Sequence, residues 1–212
     1  MTGKNNFLKR FKIKYGKNIS PNMLIISQNL SNSDFKIPDN AIYRINLAWV
    51  NSLNELSDLL SKHSIHKIFI DLPIGRTKPP HNSYTFDELI PILEKNLNVK
   101  YLAISNVNSS NDIEKFISSV PKHVEIVPKI ENPDGVANIS NIVSCMPYSN
   151  KTIMLDHDDL FSSLTKKGES PSKFKEYINS LQNYCFENNV TLLRTIGVVF
   201  SDMEKRETQY MK

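Results

Sequence analysis

Short, β-branched apolar runs alternate with amphipathic stretches along almost the whole chain, and this alternation restricts the fold more than any other feature. Seven runs read as strands: "NMLIISQ", "NAIYRINLAW", "HKIFIDLP", "VKYLAIS", "HVEIVPKI", "KTIMLDHDD" and "VTLLRTIGVVF". Between them lie helical patterns. "SLNELSDLLSKH" puts Leu53, Leu56, Leu59 and Leu60 on one face, and "YTFDELIPILEKN" does the same with Phe86, Leu89, Ile90 and Leu93 behind a Thr85 cap. "SSNDIEKFISSV", "NPDGVANISNIVSCM" and "SPSKFKEYINSLQNYCFENN" complete the set, the last with Ser170 or Ser172 as its cap. Strand–helix alternation with strands apolar on both faces argues for a parallel sheet with helical crossovers.

The pattern predicts an α/β fold, a TIM-type β/α barrel shortened to about seven βα units. A full barrel uses eight. After Phe200 only "SDMEKRETQYMK" follows, too little for a helix and a strand. An edge left open in this way is a liability. The arm "FKIKYG" or a second copy of the chain, as a homo-oligomer, would cover it. A flavodoxin-like open sheet is the competing architecture. The expected organisation is a basic extension at 1–19, the barrel at 20–203 and a tail at 204–212.

The chain has 212 residues, enough for a sizeable core. No run of eighteen apolar residues and no leader pattern is present, so neither a membrane span nor secretion is expected. Cys145 and Cys185 lack metal or redox spacing and read as small apolar residues in a reducing cytoplasm. The first eighteen residues hold six basic residues and no acid. No aromatic stacking platform follows, so this is read as a solvated arm and not as a nucleic-acid interface.

Polar residues collect at the C-terminal ends of the apolar strands. These are Arg44 and Asn46, then Asp71, Arg76 and Lys78, then Lys129 and Glu131 in "KIEN", then Asp156 to Asp159 in "DHDD", then Arg194 and Thr195. Lys129 and Glu131 share one face of their strand because side chains alternate with a period of two. Consecutive parallel strands lie about 4.8 Å apart. Glu131 and Asp159 therefore read as ligands of one hard cation, Mg2+ or Mn2+. Lys129 stands beside it, and Arg44 and Arg76 complete an anion trap. The bland alternatives are a buried Lys129–Glu131 pair of little net worth and a solvated "DHDD" turn. His63 and His66 flank a helix end, where surface placement is the default.

The order "RINL", "IDLPIGRTK", "LAIS", "VPKIENPDGVANISNI" and "IMLDHDDL" resembles the barrel domain of the pyruvate kinase family over roughly residues 20 to 200. "KIEN..GV.NI..I" is the most specific part. The resemblance implies that Lys129 steadies a transferring phosphoryl group and that Glu131 and Asp159 hold Mg2+. It implies that Arg44 binds the substrate phosphoryl and that Asn46 and Asp71 hold a monovalent cation. Arg76 falls in the family's arginine–threonine pair, and Thr195 lies one position from a threonine of the enolate proton step. Ala48 and Trp49 replace a serine and a histidine of the family motif, and Leu72 replaces a threonine, which puts the K+ site in question. His157 and Asp158 replace an arginine and a glycine before Asp159, and "RTKPP" runs straight into "HNSYTFDEL" where the family inserts a lid domain.

The expected function is Mg2+-dependent chemistry on phosphoenolpyruvate, pyruvate or a related 2-oxo acid through a stabilised enolate. Phosphoryl transfer is catalysed by charge neutralisation in a closed site, which a lid provides. Class II pyruvate aldolases use a similar glutamate–aspartate pair, so carbon–carbon lyase chemistry is the rival. A catalytically degenerate paralogue that binds a small anion or a partner protein is the non-enzymatic alternative.

Overall fold

In the computed structural model of the chain, residues 25–28, 37–75 and 84–194 are described. They form seven strands: β1 (Ile25–Ser27), β2 (Ile42–Asn46), β3 (Lys67–Leu72), β4 (Val99–Ile104), β5 (Glu125–Ile130), β6 (Thr152–Leu155) and β7 (Thr191–Arg194). The helices are α1 (Leu53–Lys62), α2 (Phe86–Lys95), α3 (Asn111–Ser119), α4 (Pro133–Ala137), α5 (Ile139–Ser144), α6 (His157–Lys166) and α7 (Lys173–Glu187), with a 3-10 turn at Leu47–Trp49. None of these helices is long and apolar enough to cross a membrane.

The strands follow sequence order from β1 to β7, and among the described residues no ladder returns from β7 to β1. The expected shortened TIM-type barrel is therefore corrected: the parallel sheet is open. A barrel closes only when strand number, tilt and stagger agree. By residue contacts the chain divides into two compact units, one holding Met1–Ile104 and Lys115–Ile126, the other Ser105–Glu114 and Val127–Lys212.

In the first unit β1, β2, β3 and β4 pair in parallel, with Asn46 opposite Asp71 and Leu72 opposite Ile104. β3 is buried at every position after Lys67, as the apolar run "IFI" requires of a strand covered on both faces. Leu56 and Leu60 of α1 and Leu89 and Leu93 of α2 are the buried members of the stripes seen in the sequence. Ser52 caps α1 by accepting from the Glu55 N–H. Thr85 and Glu88 form the reciprocal capping box of α2. His63 and His66, expected at the surface, are buried instead, with His63 stacked on the Tyr43 ring of β2 and His66 beside it.

In the second unit β5, β6 and β7 pair in parallel. "NPDGVANISNIVSCM" forms two short helices, α4 and α5, that share Asn138 as a hinge. Asn132 caps α4 by accepting from the Gly135 N–H at 2.9 Å. Ser172 precedes α7, but its side chain makes no capping bond. Helix α6 was not foreseen; "DHDD" begins it and is not a turn.

Gly135 is required by space. A Cβ there would stand 2.5 Å from the Val107 carbonyl oxygen, a backbone atom that cannot rotate away. Val107 in turn donates its N–H to the Lys129 carbonyl at 3.2 Å. Gly135→Ala is expected to cost about 1–3 kcal/mol, the usual range for overpacking. Urea denaturation checks it, and an unchanged midpoint would refute the contact.

Candidate metal centre

The site is built in the second unit by two neighbouring strand ends and one helix start. The ladder sets Lys129 opposite Met154 and Ile130 opposite Leu155. The Asp156 N–H donates to the Ile130 carbonyl at 3.3 Å and carries the pairing one step further. Glu131 and Asp156 thus leave adjacent strands side by side. Two-residue alternation puts Lys129 and Glu131 on one side of β5, and Met154 and Asp156 on the corresponding side of β6.

Asp156 is also the N-cap of α6, with Oδ1 accepting from the Asp159 N–H at 3.3 Å. This cap turns the first helical residues back toward the strand ends. One carboxylate oxygen from each of Glu131, Asp156 and Asp159 lies within 4.8 Å of the others. Two oxygens on one Mg2+ at 2.0–2.1 Å are at most about 4.2 Å apart, and on Ca2+ at 2.3–2.6 Å about 5 Å.

Burial is graded across the triad. Glu131 is 3% exposed, Asp156 is half-buried and Asp159 is at the surface. Glu131 Oε2 accepts the Asn106 N–H at 2.8 Å. Asn106 holds φ at 56°, a left-handed conformation that asparagine takes more readily than most residues, and so aims that N–H inward. Glu131 Oε1 lies 2.8 Å from Lys129 Nζ, a close buried ion pair. The three carboxylates together are the kind of oxygen donor set that a hard cation takes. Lys129 Nζ also donates to Ser105 Oγ at 3.3 Å and lies 4.0 Å from Asp156 Oδ2.

Burial raises the Glu131 carboxyl from an ordinary 4.5 to about 7, against the opposing pull of Lys129 and the Asn106 N–H, with Asp156 adding to the rise. A proton and a cation therefore compete for Glu131 near neutrality. The folded state binds this proton more firmly than the unfolded chain does. Without metal, stability accordingly falls as pH rises from about 4.5 to about 7 and is level above that range. Mg2+ affinity is expected to run the opposite way, tightening up to about tenfold per pH unit below 7 with release of one proton. Calorimetry in buffers of different ionisation enthalpy measures this release, and a pH-independent affinity would contradict it.

The other expected site residues stand elsewhere or outside the described residues. In the first unit Arg44 forms an ion pair with buried Asp71 and donates to Ser27 Oγ at 3.4 Å. Asn46 turns its side-chain oxygen to the Ala48 N–H at 3.0 Å and caps the 3-10 turn. The two residues assigned to a monovalent cation by resemblance are thus engaged with their own neighbours. Arg76, Lys78 and Thr195 lie outside the described residues. In the second unit His157 Nε2 accepts from Arg194 Nε at 3.2 Å, and burial and that guanidinium lower its pKa.

Sequence reasoning missed Asp156 as a third carboxylate and missed Ser105 and Asn106 as its supports. The signal for Asp156 was present: an aspartate three residues before another acid, ahead of Leu160, is a helix-start pattern. Ser105 and Asn106 carry no such signal.

No family model matches the chain, and no curated protein matches it. Solved structures do match. RipC from Yersinia pestis is 12% identical, over 85% of this chain and 77% of that chain, with a TM-score of 0.55. This is a likeness of fold alone, and it has no bearing on the pyruvate kinase resemblance.

Proposed function

We propose that the chain holds a divalent cation, Mg2+ or Mn2+, on Glu131, Asp156 and Asp159 and acts on pyruvate, phosphoenolpyruvate or a related 2-oxo acid through its enolate. The observation that supports this reading is a buried carboxylate with two further carboxylates and a buried ammonium gathered beside it. When bound, the cation supplies Lewis-acid polarisation of the oxo group. Lys129 adds fixed positive charge where an enolate oxygen develops, in a setting shielded from water. The Asn106 N–H and Ser105 hydroxyl orient Glu131 and Lys129 before any ligand arrives. Asp159, the most exposed member, leaves the mouth open to a small anion.

The lyase reading is favoured over phosphoryl transfer by one observation. Only thirteen residues join Leu72 of β3 to Phe86 of α2, so no nucleotide-covering domain is inserted there. Phosphoryl transfer depends on such enclosure. Cleavage or formation of a carbon–carbon bond beside the oxo acid needs only the enolate to be stabilised. The setting proposed is the cytoplasm, where the free thiols of Cys145 and Cys185 stay reduced.

Exchange of pyruvate methyl protons in D2O, followed by NMR with the full chain, tests the reading. The expected result is exchange that requires Mg2+ and is lost on Glu131→Gln. Exchange that EDTA leaves untouched refutes it. Absence of exchange despite Mg2+ binding would favour a protein that only binds the anion.

A further inference from the structure

His63 and His66 form a second cluster, unrelated to the carboxylate triad in chemistry. They sit in the first unit, on the turn joining α1 to β3, and are 6% and 7% exposed. Their ring centroids are 5.7 Å apart. His63 Nε2 and both ring nitrogens of His66 are buried without a hydrogen-bond partner among the described residues. A neutral imidazole carries one donor and one acceptor, and buried polar atoms are nearly always satisfied. Three orphaned nitrogens within one turn are therefore a chemical demand.

The turn is held rigidly for so short a segment. The His66 N–H donates to the His63 carbonyl at 3.0 Å. The Asn98 side-chain amide donates to the His66 carbonyl at 3.2 Å and the His63 carbonyl at 3.5 Å. The Tyr43 ring stacks on His63 with centroids 3.7 Å apart and so fixes the plane of that imidazole. Two imidazoles that share an ion at 2.0–2.1 Å have ring centroids at most about 6.4 Å apart. The observed 5.7 Å is within that reach.

We propose that His63 and His66 are a two-imidazole site for a borderline transition-metal ion of the Zn2+ class. Nitrogen donors select such ions over Mg2+, which the oxygen triad takes. Burial, His66 and Lys62 all lower the His63 pKa, so the ring offers a lone pair at neutral pH.

The test uses the full chain carrying Glu131→Gln, which weakens the oxygen site. Zn2+ titration by calorimetry should show about one equivalent bound, weakened at least tenfold by His66→Gln and by His63→Phe, which keeps the stack on Tyr43. Affinity unchanged in both variants, or no binding, overturns the proposal. Should the variants lose their fold by circular dichroism, Cu2+ EPR on the Glu131→Gln chain decides. Hyperfine coupling from two imidazole nitrogens supports the site, and coupling from fewer overturns it.

Discussion

Glu131→Gln is expected to weaken Mg2+ binding by about a hundredfold and to remove the rise in melting temperature that Mg2+ gives the native chain. The substitution keeps the shape of the side chain and an oxygen for the Asn106 N–H. It removes the one buried carboxylate of the triad, the ligand least screened by water. The two partners left behind are half-buried Asp156 and exposed Asp159, and exposed carboxylates alone hold Mg2+ weakly. A ligand that binds only the folded state stabilises it by about 2.7 kcal/mol at one hundred times its Kd. The native chain should therefore gain several degrees at saturating Mg2+, and the variant almost nothing. Differential scanning fluorimetry with and without EDTA measures both. An equal Mg2+ shift in the two proteins would remove Glu131 from the centre.

Lys129→Met is expected to be the most destabilising change in the site, with a cost that depends on pH. Lys129 is 6% exposed and stands 2.8 Å from Glu131. Removing one partner of a buried pair typically costs about 3–5 kcal/mol, because the other charge is left uncompensated. Above pH 7 Glu131 is ionised in the native protein, so the full cost appears there. Near pH 5 Glu131 already carries its proton, and the cost should fall by roughly 2 kcal/mol. The double variant Lys129→Met, Glu131→Gln should be more stable at pH 8 than Lys129→Met alone, since no buried charge remains to be paired. Urea melts at the two pH values check these differences. A loss that is the same at pH 5 and pH 8 would mean that Lys129 acts through packing and not through charge.

Much of the architecture was written in local pattern. Strands such as "KIFIDL" and "TIML" are too apolar and β-branched to sit anywhere but in a buried parallel sheet, and they do. The placing of Lys129 with Glu131 followed from a period of two and needed no tertiary information. Closure was a different matter. Whether β7 meets β1 depends on strand number and stagger across the whole sheet, which no local pattern encodes, and the barrel expectation failed there. The start of α6 was hidden because Asp156, His157, Asp158 and Asp159 are polar enough to read as a turn, although Asp156 caps the helix. Buried His63 escaped for a related reason: it stacks on Tyr43, a tertiary contact that sequence spacing does not reveal, and His66 packs beside it. Arg44, expected at the end of β2, stands in its middle, and its pairing with Asp71 depends on register between strands.

The central claim is that Glu131, Asp156 and Asp159 together take one divalent cation. Anomalous diffraction from a crystal of the full chain soaked in Mn2+ tests it most directly. The account predicts one strong peak within about 2.0–2.4 Å of a carboxylate oxygen of each residue, lost in Glu131→Gln. No peak at these three side chains, or a peak held by other residues while Glu131 stays bound only to Lys129 and Asn106, would contradict it.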